Sequence, residues 1–158
     1  MNFIKIIIIL FVFQLFAVCP ALPAKAQTDD CEKVVAALGT TISSNMFLSY
    51  VSLTLMVNDS RDTTYIENYS SILESIKGSL ENVKAQIEEI EKIDIISDDD
   101  KDVVRNLKHL HKQLIEEVVL FEKYIESKKS KDYSKLVLKH DNIAKAMKIF
   151  LLENTENW

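Results

Sequence analysis

The sequence predicts an all-α protein, an antiparallel up-down-up-down four-helix bundle behind a cleaved N-terminal signal peptide. Three observations lead there. The 158 residues include only two glycines and two prolines, and both prolines, Pro20 and Pro23, fall in the leader. A chain so poor in turn residues forms long helices joined by short polar links. From residue 63 onward, apolar side chains recur at alternating steps of three and four, which is the seam of helices packed at a shallow angle. Four segments of roughly 20 to 30 residues with three short links make antiparallel neighbours, because a short connection cannot return a chain to its starting end.

The leader comes first. Lys5 precedes an apolar run from Ile6 to Val18, and Ala24-Lys25-Ala26 follows the two prolines. A cation, an apolar core of about 13 residues and a small-x-small ending predict a signal peptide over residues 1–26, cleaved after Ala26. The protein is then exported, to a periplasm or to the outside. An uncleaved anchor is the alternative reading. Against it, a spanning helix needs about 20 apolar residues, and Gln14, Pro20 and Pro23 interrupt this one. Lipidation at Cys19 is the third reading, and Val18 is too bulky for the small residue wanted before the cysteine.

Cleavage removes Lys5 and Lys25 from the 19 basic residues and none of the 24 acidic ones, so the formal charge moves from −5 to −7. An acidic chain without a basic stripe is not a nucleic-acid binder, because that affinity comes mainly from neutralising phosphates. Cys31 alone remains of the two cysteines, so no internal disulfide forms and packing must hold the fold. At about 130 residues, the mature chain 27–158 is one domain, large enough for a core without staples.

The first helix is expected over about 30–57, starting where Asp29 and Glu32 stand at capping-box spacing. Asn58-Asp59-Ser60-Arg61-Asp62 supplies a turn. The second helix, 63–93, has Thr64 and Glu67 as a capping pair and the seam Ile66, Tyr69, Leu73, Ile76, Leu80, Val83, Ile87 and Ile90. Ser97 caps the third, 98–127, and Asp98, Asp99 and Asp100 favour the positive end of its dipole. Its seam is Val104, Leu107, His111, Leu114, Val118, Phe121 and Ile125, with Lys128, Lys129 and Lys131 at the negative end. The fourth, 132–152, carries Tyr133, Leu136, His140, Ile143, Met147 and Phe150 on one face, and 153–158 form a frayed tail.

Helix one has more apolar surface than a bundle position requires. Val35, Leu38, Ile42, Met46, Tyr50, Leu53 and Val57 suffice for the core, and Phe47, Leu48, Val51 and Leu55 form a second stripe on roughly the opposite side. Left in water, such a stripe marks a binding surface for a partner protein or a second copy, unless other parts of the chain cover it. Ser43, Ser44, Ser49, Ser52 and Thr54 flank it, whereas a helix lying on a membrane carries Lys and Arg there. No membrane contact is therefore expected once the leader is gone.

His111 and His140 occupy seam positions, and Met46 and Met147 could join them as ligands of a haem or a metal. Counting outward from the links puts His140 level with Met46 and Val118, and His111 level with Leu80 and Met147. The two rings then lie about 12 Å apart in height, too far to share one ion. A haem held by His140 and Met46 is the competing reading. Core histidines hydrogen-bonded within the bundle are the commoner case, so no cofactor is expected. Neither ring has a glutamate three residues before it, as di-iron bundles need, and Asp98–Asp102 lacks the glycine of a calcium loop. Cys31 has no base or oxyanion site placed by sequence, so no enzyme is expected. Asn58-Asp59-Ser60 and Asn68-Tyr69-Ser70 fit the glycan acceptor pattern. Taken together, these readings predict a non-enzymatic exported bundle that binds a protein or itself.

Overall fold

The computed structural model describes residues 24–60, 63–93 and 98–155. Most of the leader, Cys19, the Ser97 cap, the side chain of Cys31 and the end of the tail lie outside the described residues or side chains. Helix α1 spans Ala24–Asp59. A 3-10 segment, Thr63–Tyr69, runs into α2, Ser70–Ile90, and α3 and α4 span Asp98–Ser127 and Ser130–Thr155. Four helices and, among the described residues, no strand make an all-α four-helix bundle. Consecutive helices pack most closely. Helix α1 leans across the diagonal onto α3 more than it touches α4, leaving the α1–α4 seam the loosest of the four.

The three-four alternation accounts for the core. Leu73, Ile76, Leu80, Val83, Ile87 and Ile90 of α2 are all buried, as are Val104, Leu107, Leu114, Val118 and Phe121 of α3. Leu136, Ile143, Met147 and Phe150 complete the core from α4. Each such side chain contributes roughly 1.5–3 kcal/mol by leaving water. The polar sides carry exposed pairs such as Lys84 with Glu88 and Arg105 with Asp102, which add little.

Three boundaries depart from expectation. Helix α1 begins at Ala24, so Asp29 lies inside it and does not cap it. Ala24, Lys25 and Ala26 are strong helix formers, and a cap worth about 1 kcal/mol cannot stop a helix that the sequence continues to favour. Residues 63–69 form a 3-10 segment where an α-helix is expected. In that geometry side chains three apart eclipse, which aligns Ile66, fully buried, with half-buried Tyr69. Glu67 pairs with Lys128 Nζ at 2.6 Å. Finally, α4 runs to Thr155, beyond the expected 152.

Aromatic rings close the bundle end where α1 stops. Phe121 lies 6.0 Å from the Tyr69 ring and 6.5 Å from Tyr124, and Tyr124 lies 5.1 Å from Tyr133. The Tyr124 hydroxyl donates to the carbonyl of Ser60 at 3.0 Å, and Tyr133 donates to that of Val57 at 3.4 Å. These bonds satisfy carbonyls that the end of α1 leaves without a helical partner. The Tyr69 hydroxyl donates to the Asp59 carboxylate, which, with burial and the charge of Asp59, pushes the phenol up to about 12. In the α3–α4 link, Lys128 takes a left-handed conformation (φ 51°), and its N–H closes on Tyr124 O at 2.8 Å. This is the usual way for a helix to end, in a position that glycine normally fills.

Candidate functional site

Helix α1 supplies the first candidate. Between Lys33 and Asp59 it carries no ionisable group of the Asp, Glu, Lys, Arg or His type over 25 residues, Val34 to Asn58. Its inner face is the expected one, with Ile42, Met46, Leu53 and Val57 buried and Val35, Leu38 and Tyr50 half-buried. On the outer face Phe47, Leu48 and Leu55 are 42%, 61% and 66% exposed, and Val51 between them is half-buried. The other helices do not cover this stripe.

The hydroxyls of α1 do not make it polar. Thr40, Thr41, Ser49, Ser52 and Thr54 each donate to the carbonyl four residues back, at 2.8–2.9 Å. A hydroxyl spent on its own helix offers less to water, so the face is more apolar than its letters suggest. Lys33–Asp59 contains an 18-residue run that is apolar enough, at a mean hydropathy of 1.3, for the helix to cross a membrane by length and composition, and 17% of that run is buried.

The second candidate is a polar layer in the core. His140 Nδ1 lies 2.6 Å from Glu117 Oε1. Glu117 is wholly buried, and its Oε2 has no hydrogen-bond partner. The ring of Tyr50 stacks on His140 at 5.4 Å and 12° between planes. Helices α1, α3 and α4 each contribute one member: Tyr50 meets His140 directly across the loose α1–α4 seam, and Glu117 holds the His140 ring from α3. Counting from the links places His140 beside Met46 and Val118. Its partners, Tyr50 and Glu117, stand one turn from the first and next to the second.

Glu117 is the residue that sequence reading missed. The signal was there: Leu107, Leu110, Leu114, Glu117, Phe121 and Tyr124 make a second seam at alternating steps of three and four, and all six are buried. In a bundle, a helix touches neighbours on two sides and presents a face wider than one seam.

His111 makes a separate contact, its Nε2 donating to Leu80 O at 2.8 Å, the level expected. Burial pulls this imidazole below its ordinary value of 6.5, and nearby Lys84 adds to the effect, while the bond to Leu80 and the charge of Glu88 oppose it. The unfolded chain therefore takes up a proton first as pH falls. Stability contributed by neutral His111 is complete above about pH 6.5 and is lost as pH drops toward the folded value. Urea midpoints are expected to fall between pH 7 and 5, and His111→Leu to flatten that slope. A variant with the wild-type slope would show that other groups set the pH response.

Both core rings are thus held by bonds within the bundle. A carboxylate on Nδ1 also orients metal-binding histidines, but among the described residues no group of three His, Cys, Asp or Glu side chains could hold an ion. Met46 and Met147 are packed in the apolar core. Exposed His109 sits on the polar face. Asn58 is in the last turn of α1, with Ser60 fully buried and its Oγ bonded to Val57 O at 2.9 Å. The first acceptor sequence is therefore the end of a helix and not an open turn, with Asn58 exposed and Ser60 buried. No family model, curated protein or solved structure matches this chain, so its function must be read from its own residues.

Proposed function

We propose that this protein is an exported, non-enzymatic helical bundle that works by docking a protein on the outer face of α1. One observation carries the reading. A 25-residue stretch of α1 without a charged side chain, most of whose hydroxyls bond to the helix's own carbonyls, exposes Phe47, Leu48 and Leu55 side by side, whereas the exposed apolar side chains of α2, α3 and α4, such as Val119 and Leu138, stand among charged residues. Exposed contiguous apolar surface of this kind is costly unless it is used. The leader pattern of Lys5, the apolar run and Ala24-Lys25-Ala26 supports export.

The test places a photoreactive benzophenone side chain at Leu48 in the producing cell, with the same group at Ser75 on the polar side of α2 as control. A protein adduct at Leu48 and none at Ser75 is expected. Equal labelling at both positions, or no protein adduct at Leu48, removes the reading. The haem- or metal-binding alternative rests on the Glu117-oriented ring of His140. Absence of a Soret band in protein from its native compartment, and of haem uptake on titration, removes that one.

A further inference from the structure

The net acidity of the chain conceals a cationic face. Between Lys128 and Ile149 seven lysines stand against two aspartates, a charge of +5, which leaves −10 on the remainder of a chain of net charge −5. On α4 these cations form a row. Lys131, Lys135, Leu138, Asn142, Lys145 and Ile149 advance in alternating steps of four and three, the spacing of one helix face, and all six are exposed. The row is about 27 Å long and is turned away from Leu136, Ile143 and Met147, which α4 buries in the core. On α2 and α3, by contrast, Lys77, Lys84, Lys101, Arg105 and Lys108 are neutralised in ion pairs of 2.6–3.7 Å. Lys139 of α4 reaches Glu116, but among the described residues Lys131, Lys135, Lys145 and Lys148 form no ion pair. Asp132 is buried and takes the Ser127 hydroxyl at 2.8 Å, with Lys135 acting on it only as a nearby charge, and exposed Asp141 offsets one cation. Helix stability does not account for the row. Lys131 and Lys135 are like charges four apart in the first two turns of α4, at the positive end of its dipole, and both placements are unfavourable.

We propose that this row seats the bundle on an anionic phospholipid surface. Charge complementarity selects a polyanion, and the apolar members of the row select lipid. Leu138 and Ile149, 64% and 55% exposed, stand between the lysines and can enter a headgroup layer beside the lysine stems. The phosphate backbone of a nucleic acid, or an acidic peptide, offers no such layer to receive them. A straight row on a convex helix also meets a planar surface along its whole length. This is the lysine-bearing pattern whose absence from α1 argues against a membrane there. Helices pack about 8–10 Å apart, so acids on the far side of the bundle lie beyond the roughly 8 Å over which charges act at physiological salt. Each lysine near an anionic surface strengthens binding roughly fivefold, which makes the contact reversible and salt-sensitive. It uses a different helix from the docking face, and holds whether or not α1 binds a protein.

The test sediments protein recovered from cells expressing the full-length sequence with phosphatidylcholine vesicles, made with and without phosphatidylglycerol. Binding to the anionic vesicles is expected to be at least tenfold tighter than to the neutral ones, and to be lost at about 1 M salt, where charges act over only about 3 Å. Lys131→Gln combined with Lys145→Gln should weaken it roughly 25-fold, and Leu138→Ser should weaken it severalfold. Lys84→Gln combined with Lys101→Gln makes the same change of net charge at lysines already paired, and should leave binding as in wild type. Circular dichroism checks that all variants keep wild-type helicity. Equal binding to neutral and anionic vesicles, or equal losses in the two lysine pairs, overturns the inference. A short DNA duplex or polyglutamate that binds as tightly as the anionic vesicles, with Leu138→Ser without effect, overturns lipid as the partner.

Discussion

Replacing Phe121 with alanine is expected to cost about 3–5 kcal/mol of folding stability, the range for removing a fully buried aromatic ring. Phe121 has no solvent exposure and lies between the rings of Tyr69 and Tyr124. The loss is therefore more than that of one side chain. Tyr69 ties the 3-10 segment to Asp59, and Tyr124 holds the last carbonyl of the α1 end; both rings lose the surface that positions them. Aromatic pairs of this kind add about 0.5–1.5 kcal/mol beyond burial, which favours the upper part of the range. Phe47→Ala is the internal control, because that ring lies on the outer face of α1 and should change stability of the monomer by no more than about 0.5 kcal/mol. Urea denaturation followed by circular dichroism measures both. Similar losses for the two variants would mean that the outer face is packed and the aromatic end is not a keystone of the fold.

How much of the fold is legible in the letters depends on the kind of signal. The seams of α2, α3 and α4 can be read because alternating steps of three and four, sustained over six or more residues, arise almost only where a helix buries one face. The heights of His111 and His140 follow from counting outward from short links, since antiparallel helices advance at one rise per residue. Hence Leu80 can be named opposite His111 from the sequence. The start of α1 is misleading because Asp29 and Glu32 have the spacing of a cap, whereas caps only bias a boundary that flanking propensity decides. The 3-10 segment is invisible for a different reason. Thr63–Tyr69 has no letters that separate it from an α-helix, since Ile66 and Tyr69, three apart, share a face in either geometry. Glu117 is passed over because a glutamate reads as surface until its partner is known. That partner, His140, lies 23 residues further on, in another helix.

The Glu117–His140 pair makes the second large effect predictable in sign as well as size. Glu117→Ala should cost about 3–5 kcal/mol, the usual result of breaking a buried ionisable pair by removing one member. It leaves Nδ1 of His140 buried without its acceptor and opens a void beside the stacked ring of Tyr50. His140→Ala should cost a similar amount, since it strands a carboxyl group that is already unpartnered at Oε2. Removing both is a different matter. Taking two polar groups out of water is itself expensive, and well-packed apolar residues of similar volume often do as well or better. Glu117→Met combined with His140→Leu is therefore expected to fall within about 1 kcal/mol of wild type, or above it, although each single change is destabilising. Run with Glu117→Met and His140→Leu singly and together, the double-mutant cycle should then report a coupling of about 5 kcal/mol if each single change costs about 3 kcal/mol, far above the value for independent sites. Additive losses in that cycle would show that the two side chains act separately, and that the short contact across the α3–α4 interface does not hold the layer together. Recovery in the double variant, by contrast, would mark the pair as a device of specificity and not of stability. In that case the pair would set the register of α4 against α3 and hold His140 against the Tyr50 ring at the loose α1–α4 seam, where an all-apolar core would let the helices slide.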